Sequence, residues 1–482
     1  MKPKQSKYDL VVVGTGFAST FFLKRYLEKN GQDKKILVLE RGLRYPYTDR
    51  IKYRKGEVLD YIKEVKGYKD CISNPDTIKP WVFEPNFGGG SNCWWGVALR
   101  FMPNDFKTKT LYGVAQDWPI GYDDIDPYYD EAEKLMSISG PDKTPYPKKG
   151  SFPLPPHVLT TVDRAMQRKF GEELYFSQPT ARASTVAAKR GVCCTSYSCS
   201  LCPTNAKFTI ENTFSSLYED PRIELLYQSQ VTGLVFQNDQ VKKVVFEQEG
   251  KEMEVEGELV ALGANAIFNA HILLASNDSN RYTGKGISEQ KGFFVTVYLD
   301  NFPNVGGSSS MTANGYMLYD GEFRKQHASI MVESHNGFFI RNEHGKWRNM
   351  ARFKFVFEDL PEDRNFVSLS EDRLKPKINF VNESAYVDAG RKRVLQDLNK
   401  ILAPLPVESL TIDEEYMESE YHILGTTRMS KDAATGVVDD KLIHHQYRNL
   451  FVLGGGSFPS ITAANPSLTI AALSLRSADL MF

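Results

Sequence analysis

The clearest hydrophobic pattern in the chain lies in residues 8–42, YDLVVVGTGFASTFFLKRYLEKNGQDKKILVLERG. Residues 10–13 are continuously apolar and β-branched, the pattern of a strand buried on both faces. A turn follows at Gly14-Thr15-Gly16, and residues 17–30 then place Phe21, Phe22, Tyr26 and Leu27 on one helical face. A second apolar strand, residues 36–39, ends in Glu40. This strand–glycine turn–helix–strand pattern is a βαβ unit suited to a dinucleotide. Gly14 and Gly16 let the backbone approach a pyrophosphate at a helix N-terminus, and Glu40 is placed to accept hydrogen bonds from a ribose. The third small position is Ser19 rather than glycine.

Further along, residues 44–80 read as polar loop with a short helix. Residues 88–90 are three glycines before Ser91, Asn92, Cys93, Trp94 and Trp95, either a tight turn capped by core aromatics or a loop laid against a flat ring system. Residues 117–140 carry a helical stripe of Tyr128, Tyr129, Ala132 and Leu135, with Asp124 as the expected N-cap. A loop at 141–160 precedes a helix over 160–173, and another helix starts near Phe208. Residues 222–265 alternate as strands and lead into a helix at 266–276. From 292 the pattern changes to short aromatic strands (FFVTVYLD, HASIMVES, RFKFVFED, NFVSLS, KINFV), predicting a separate antiparallel sheet. A helix follows at 384–403. The final block, 421–482, returns to strand plus helix.

Composition narrows the classes. At 482 residues, 41 % hydrophobic, 25 % charged and net charge -1, the chain is an ordinary globular enzyme in composition. No bulk charge points to nucleic acid or an anionic membrane surface. No apolar run approaches the ~18 residues of a membrane span, and the N-terminus lacks a signal-peptide pattern. A cytoplasmic location is the default expectation. Four of the six cysteines, Cys193, Cys194, Cys199 and Cys202, fall within ten residues, as CC-x4-C-x2-C. Thiolates this close suit an iron–sulfur centre or zinc; packed structural thiols and a disulfide are the alternatives.

These motifs resemble the glucose–methanol–choline (GMC) oxidoreductases, FAD enzymes that oxidise alcohols. The resemblance is carried by residues 8–42, by FGGGSNCWWG, which resembles the family's loop over the isoalloxazine, and by GELVALGANAIFNAHILLAS. It is most specific in HILGTTRMS, GVVDD, NLFVLGGGSFP and NPSLTIAALSLRSAD. DWPIGYDDIDPYYDEAEKL resembles a segment of the sugar- and polyol-oxidising members. The resemblance implies an α/β, Rossmann-type FAD-binding domain from residues 1–45, 190–290 and 421–482. It also implies flavin-covering and cap segments at 46–189, and an α+β substrate domain on an antiparallel sheet at 291–420.

By the same resemblance His422 is the general base and Asn465 its partner, holding the substrate hydroxyl. The implied FAD contacts are Gly14, Gly16, Phe17, Ala18, Glu40, Arg41, Gly89, Gly90, Ser91, Asn92, Cys93, Val231, Gly263, Ala264, Gly455, Asn465 and Pro466. Cys93 stands where some sugar oxidases carry a flavin-linked histidine, so a histidyl link is excluded there. A packed thiol or a cysteinyl link are its two readings. His444 and His445 lie in a polar stretch and are expected at the surface. The cysteine run resembles that of bacterial FAD sugar dehydrogenase catalytic subunits, which hold a three-iron, four-sulfur cluster, though its last interval is one residue shorter here. Three of the cysteines would suit three irons; all four would suit a four-iron cubane or zinc.

The expected activity is therefore oxidation of a sugar or polyol alcohol to ketone or lactone. Hydride passes to the flavin, and electrons pass through the cluster to a cytochrome or quinone, with a small accessory subunit. Periplasmic residence stays open, because related subunits are exported folded with such a partner. The rival readings are an oxygen-using oxidase, a non-catalytic flavin subunit, and an NAD-binding protein with structural zinc.

Overall fold

The computed structural model describes residues 2–52, 72–73 and 79–482. Cys71 and most of the expected loop at 44–80 lie outside the described residues. The first element, β1 (Lys7–Val13), is apolar throughout its second half and is the centre of a seven-stranded sheet. It pairs in parallel with β2 (Ile36–Leu39) on one side and with the C-terminal half of β7 (Lys251–Leu262) on the other. β4 (Ile223–Leu226) extends the sheet beyond β2, and β15 (Leu450–Val452) adds to β7 at Val260–Leu262. β5 (Ser229–Gln237) and β6 (Gln240–Gln248) complete an antiparallel meander onto the N-terminal half of β7. The sheet is thus parallel where it is buried on both faces and antiparallel where it reaches solvent.

Helix α1 (Phe17–Lys29) covers this sheet with Phe21, Phe22, Leu23, Tyr26 and Leu27 buried, close to the expected stripe. Two short helices, α2 (Tyr47–Arg50) and α3 (Thr108–Tyr112), follow. Helix α4 (Tyr122–Met136) begins at N-cap Gly121, so Asp124 is not the cap but the third helical residue. Its carboxylate reaches back to accept the Gly121 N–H at 2.7 Å, a capping-box arrangement. After α5 (Thr161–Phe170) and α6 (Ile210–Phe214) comes α7 (Asn265–Ala275), directly behind β7.

The second sheet has six antiparallel strands in the order β14 (Val407–Ile412), β8 (Lys291–Leu299), β11 (Met350–Phe357), β10 (Ile330–His335), β9 (Met311–Leu318) and β3 (Tyr175–Ser177). Three of the expected aromatic strands are here. The other two, β12 (Phe366–Ser368) and β13 (Lys377–Asn379), pair only with each other. β9 and β14 are strands that the hydrophobic pattern did not predict. Strand alternation divides the large sheet by chemistry. Phe293, Val295, Val332, Phe353, Phe355 and Phe357 join the core under α8 (Ala385–Ile401). The opposite face carries Phe294, Glu333, His335, Arg352 and Lys354, with Glu333 directly opposite Lys354 and His335 opposite Arg352. Helix α9 (Ser467–Met481) closes the chain against α1, where Arg25 pairs with Asp479 at 3.1 Å.

Candidate active site

Two glycine turns meet at the C-terminal edge of the parallel strands. Gly14 takes φ +84°, and a Cβ there would lie 2.8 Å from the Gly263 carbonyl oxygen. Ser19 in α1 donates to the Val13 carbonyl at 3.0 Å. Its hydroxyl occupies the space a Gly263 side chain would need, so the close helix–strand approach expected of a third glycine is kept by Gly263 instead. The second turn, residues 88–92, lies over the first: a Cβ on Gly89 would be 3.3 Å from the Gly16 Cα. The Gly88 N–H donates to the Thr15 hydroxyl at 2.9 Å, and that hydroxyl donates to Glu40 at 2.6 Å. Glu40 also accepts the Gly42 N–H, and burial raises its carboxyl above the ordinary range.

The other expected cofactor residues distribute around this opening. Gly16 caps α1, with Phe17 and Ala18 in its first turn; Phe17 packs edge-on against Trp94 at 4.8 Å. Arg41 lies 4.5 Å over the Phe268 ring. Ser91 accepts the Ile210 N–H, while Asn92 is held by Arg50 and Glu84. Val231 is buried in β5, Gly263 and Ala264 join β7 to α7, Gly455 opens a turn after β15, and Pro466 caps α9. The Cys93 thiol faces the Gly90 carbonyl at 3.6 Å; desolvation, with Glu84 nearby, pushes it up to about 11.

His422 sits where residues 421–430 run beside residues 455–457, through Gly425, Thr427 and Met429 N–H bonds to Gly455, Gly456 and Ser457 carbonyls. Its backbone N–H donates to Glu289 at 2.8 Å, and its ring Nδ1 lies 2.9 Å from Gln290 Oε1. Burial, then the Lys354 ammonium, depress the imidazole to about 4. Asn465 stands just before α9, and its buried side-chain oxygen has no hydrogen-bond partner among the described residues.

The polar face of the second sheet turns toward this histidine. Lys354 pairs with Glu420 and lies opposite Glu333. Burial works against the Glu333 charge, but His335 and Lys354 hold its carboxyl below the ordinary range. His335 Nδ1 is 2.5 Å from the Tyr197 hydroxyl, and Tyr197 stacks edge-on against Trp95. Glu420 Oε1 and His335 Nε2 are buried with no hydrogen-bond partner among the described residues. None of Tyr197, Gln290, Glu333, His335, Lys354 or Glu420 was singled out from sequence. The available signal was charge inside strands that are otherwise aromatic, as in RFKFVFED.

The cysteine run packs beside the 88–95 loop, where Lys207 donates to the Asn92 and Trp94 carbonyls at 2.8 Å each. Its thiols do not share a centre. Cys193 Sγ faces the Ser309 hydroxyl at 3.9 Å, Cys202 Sγ faces the Thr204 hydroxyl at 3.8 Å, Cys199 is buried near Ser310, and Cys194 is exposed. All five described cysteines are free, and among the described residues no three His, Cys, Asp or Glu side chains group to hold a metal. This arrangement does not fit a cluster, and no electron path is drawn through it. The expectation for His444 is corrected: it is fully buried, with Nε2 3.4 Å from Asp278, and His445 is half-buried beside Ser430. Among the described residues no helix is long and apolar enough to cross a membrane.

Residues 361–474 match the family described as GMC oxidoreductase. The large subunit of fructose dehydrogenase from Gluconobacter japonicus is 25 % identical, over 98 % of this chain and 97 % of that one. Paromamine 6'-oxidase from Streptomyces fradiae is 26 % identical, over 98 % and 90 %. The crystal structure of pyridoxine 4-oxidase from Mesorbium loti superposes with TM-score 0.66 at 18 % identity, over 98 % of this chain and 99 % of that one. The fold and the C-terminal match define an α/β flavoprotein-type oxidoreductase. The chain resembles the GMC oxidoreductases in its C-terminal part, residues 361–474.

FAD, the cofactor this family implies, fits the residues present. A Cβ on Gly16 or Gly90 would meet nothing within 4 Å, so both turns leave backbone open to a pyrophosphate. The partnerless Asn465 oxygen is a buried polar atom awaiting a donor.

Proposed function

We propose that this protein oxidises an alcohol group of a sugar or polyol with FAD, and passes the electrons to an external acceptor. The observation that carries the reading is His422, a neutral imidazole whose Nδ1 is occupied by Gln290 and whose Nε2 has no partner among the described residues. When bound, the flavin accepts the hydride leaving the carbinol carbon. His422 takes the hydroxyl proton, for which a neutral imidazole suits near-neutral pH. Asn465 holds the same hydroxyl by donating from its side-chain amide nitrogen to the hydroxyl oxygen. Gly14, Gly16, Glu40 and residues 88–92 bind the dinucleotide. The partnerless Glu420 Oε1 supplies an acceptor position for a further hydroxyl, which supports a polyhydroxylated substrate.

The cofactor domain is read as residues 1–45, 190–290 and 421–482, and the substrate domain as 291–420. The likeness to a fructose dehydrogenase large subunit along nearly its whole length supports a dehydrogenase with an accessory subunit. The oxygen-using alternative is supported by the paromamine 6'-oxidase likeness. Anaerobic titration with sugars and polyols, followed by flavin bleaching, tests the reading. His422→Ala is expected to keep its flavin and lose bleaching by substrate. Full retained turnover in that variant removes the assignment. Peroxide formation without an added acceptor would make the protein an oxidase.

A further inference from the structure

We propose that Gln290 is a positioning residue that fixes His422 as the Nδ1–H tautomer, leaving the Nε2 lone pair as the only basic site of the ring. An imidazole held by one hydrogen bond does not by itself declare its tautomer, since either partner could donate. Here the second partner resolves it. The Gln290 amide nitrogen lies 2.9 Å from the Thr462 carbonyl and 3.1 Å from the Ala464 carbonyl. Both are acceptors only, so both amide hydrogens of Gln290 are committed to them. Turning the amide over would set its oxygen against two carbonyl oxygens and leave its hydrogens facing His422. The observed orientation therefore presents Oε1 to the ring, and His422 Nδ1 must donate.

The anchor residues give the arrangement its purpose. Thr462 and Ala464 belong to the segment that ends in Asn465, and their local turn is closed by the Ala464 N–H bond to the Thr462 hydroxyl at 3.0 Å. One side chain thus spans the imidazole and the loop segment that carries the amide partner. The neighbouring Glu289 fixes the backbone of the same histidine: it accepts the His422 N–H at 2.8 Å and the Ser419 hydroxyl at 2.9 Å, and pairs with Lys79. Backbone and ring of His422 are therefore held by consecutive residues.

The inference rests on the function proposed above, and the two can fail separately. Nitrogen-15 NMR of holoenzyme labelled at histidine reads the tautomer without turnover, with His422→Ala assigning the signal. The unsubstituted protein is expected to show a protonated Nδ1 and an unprotonated Nε2 at His422. Gln290→Leu is expected to mix the tautomers, Gln290→Glu to keep Nδ1 protonated. Flavin reduction by substrate is expected to slow by at least about 10-fold in Gln290→Leu. A His422 protonated at Nε2 in the unsubstituted protein would overturn the proposal, and that measurement needs no variant to fold. An unchanged tautomer in Gln290→Leu would overturn it equally.

Discussion

Gly14 and Gly16 occupy the same turn, yet the structure assigns them different work, and alanine at each should separate fold from cofactor. Gly14 sits at φ +84°, and its added Cβ would press on the Gly263 carbonyl at 2.8 Å. That carbonyl is held in place, because the other end of its peptide, the Ala264 N–H, donates to the Asn269 side-chain oxygen at 2.9 Å. A left-handed L-residue costs about 1–2 kcal/mol, and overpacking backbone against backbone adds about 1–3, so Gly14→Ala should lose about 2–5 kcal/mol. Gly16 is extended, at φ -75° and ψ -168°, and its Cβ would meet nothing within 4 Å. Gly16→Ala should therefore change stability by no more than about 1 kcal/mol, since the gain from a stiffer unfolded chain offsets a poorer cap. Its methyl instead occupies the opening between the two turns, and FAD should bind about 5- to 150-fold more weakly, the equivalent of about 1–3 kcal/mol of overpacking. Urea unfolding of the flavin-stripped proteins measures the first quantity, and fluorescence titration with FAD the second. The reasoning is refuted if Gly16→Ala binds FAD as tightly as the parent, or if Gly14→Ala unfolds at the parent's urea concentration.

The pH dependence of flavin reduction should show an acid limb near the His422 value of about 4. Since the same imidazole titrates at 6.5 when unperturbed, the unfolded chain binds a proton between those values that the native state excludes, so this group makes stability fall as pH drops through that window. Lys354→Met removes a cation that depresses His422 and leaves Glu333 and Glu420 beside it; the acid limb should move to higher pH, and an unmoved limb would remove Lys354 from that role. Arg324 is fully buried, with bonds to Asp105 at 2.9 Å and Glu358 at 2.6 Å; Arg324→Met should cost about 3–5 kcal/mol by stranding two carboxylates, read as the loss in urea-unfolding free energy. Thiol titration of the native protein should lose one fast equivalent in Cys194→Ser and none in Cys199→Ser, because Cys194 is exposed while burial raises the Cys199 thiol. An unchanged fast phase in Cys194→Ser would contradict the placement of that thiol.

What the sequence made legible was local. The β1–α1–β2 unit follows from a buried run, a glycine turn and a helical stripe, each within one short window. Partner choice was not legible. The five aromatic segments alternate alike, and nothing in that alternation tells β12 and β13 to pair with each other rather than join the large sheet. β9 escaped notice because Asn314 and Gly315 interrupt its apolar pattern, and β14 because its edge position leaves it mostly exposed. His444 reads as surface in KLIHHQYRN, but its partner Asp278 comes from 166 residues away and lets it be buried. The cysteine spacing carried an expectation of a shared ligand set. In the folded chain adjacent Cys193 and Cys194 differ in exposure, and each of the other thiols has a hydroxyl neighbour.

The site's chemistry follows from the same non-local assembly. Lys354 is the one residue of β11 whose charge is buried next to two carboxylates, Glu333 and Glu420, and it remains cationic because they outweigh the cost of its burial. Its field acts on His422 with a definite sign, favouring the neutral imidazole. A cation so placed also favours negative charge on a nearby hydroxyl oxygen as its proton leaves, so base and substrate are biased in the same direction along the reaction. The opposing effect is proton affinity: a base held near 4 is weak, and deprotonating an alcohol with it needs that electrostatic help. Removing Lys354 should therefore make His422 a stronger base and the enzyme a slower one. A simple dependence of rate on base strength predicts the reverse, so the rate of flavin reduction in Lys354→Met at a pH well above the acid limb decides between the two.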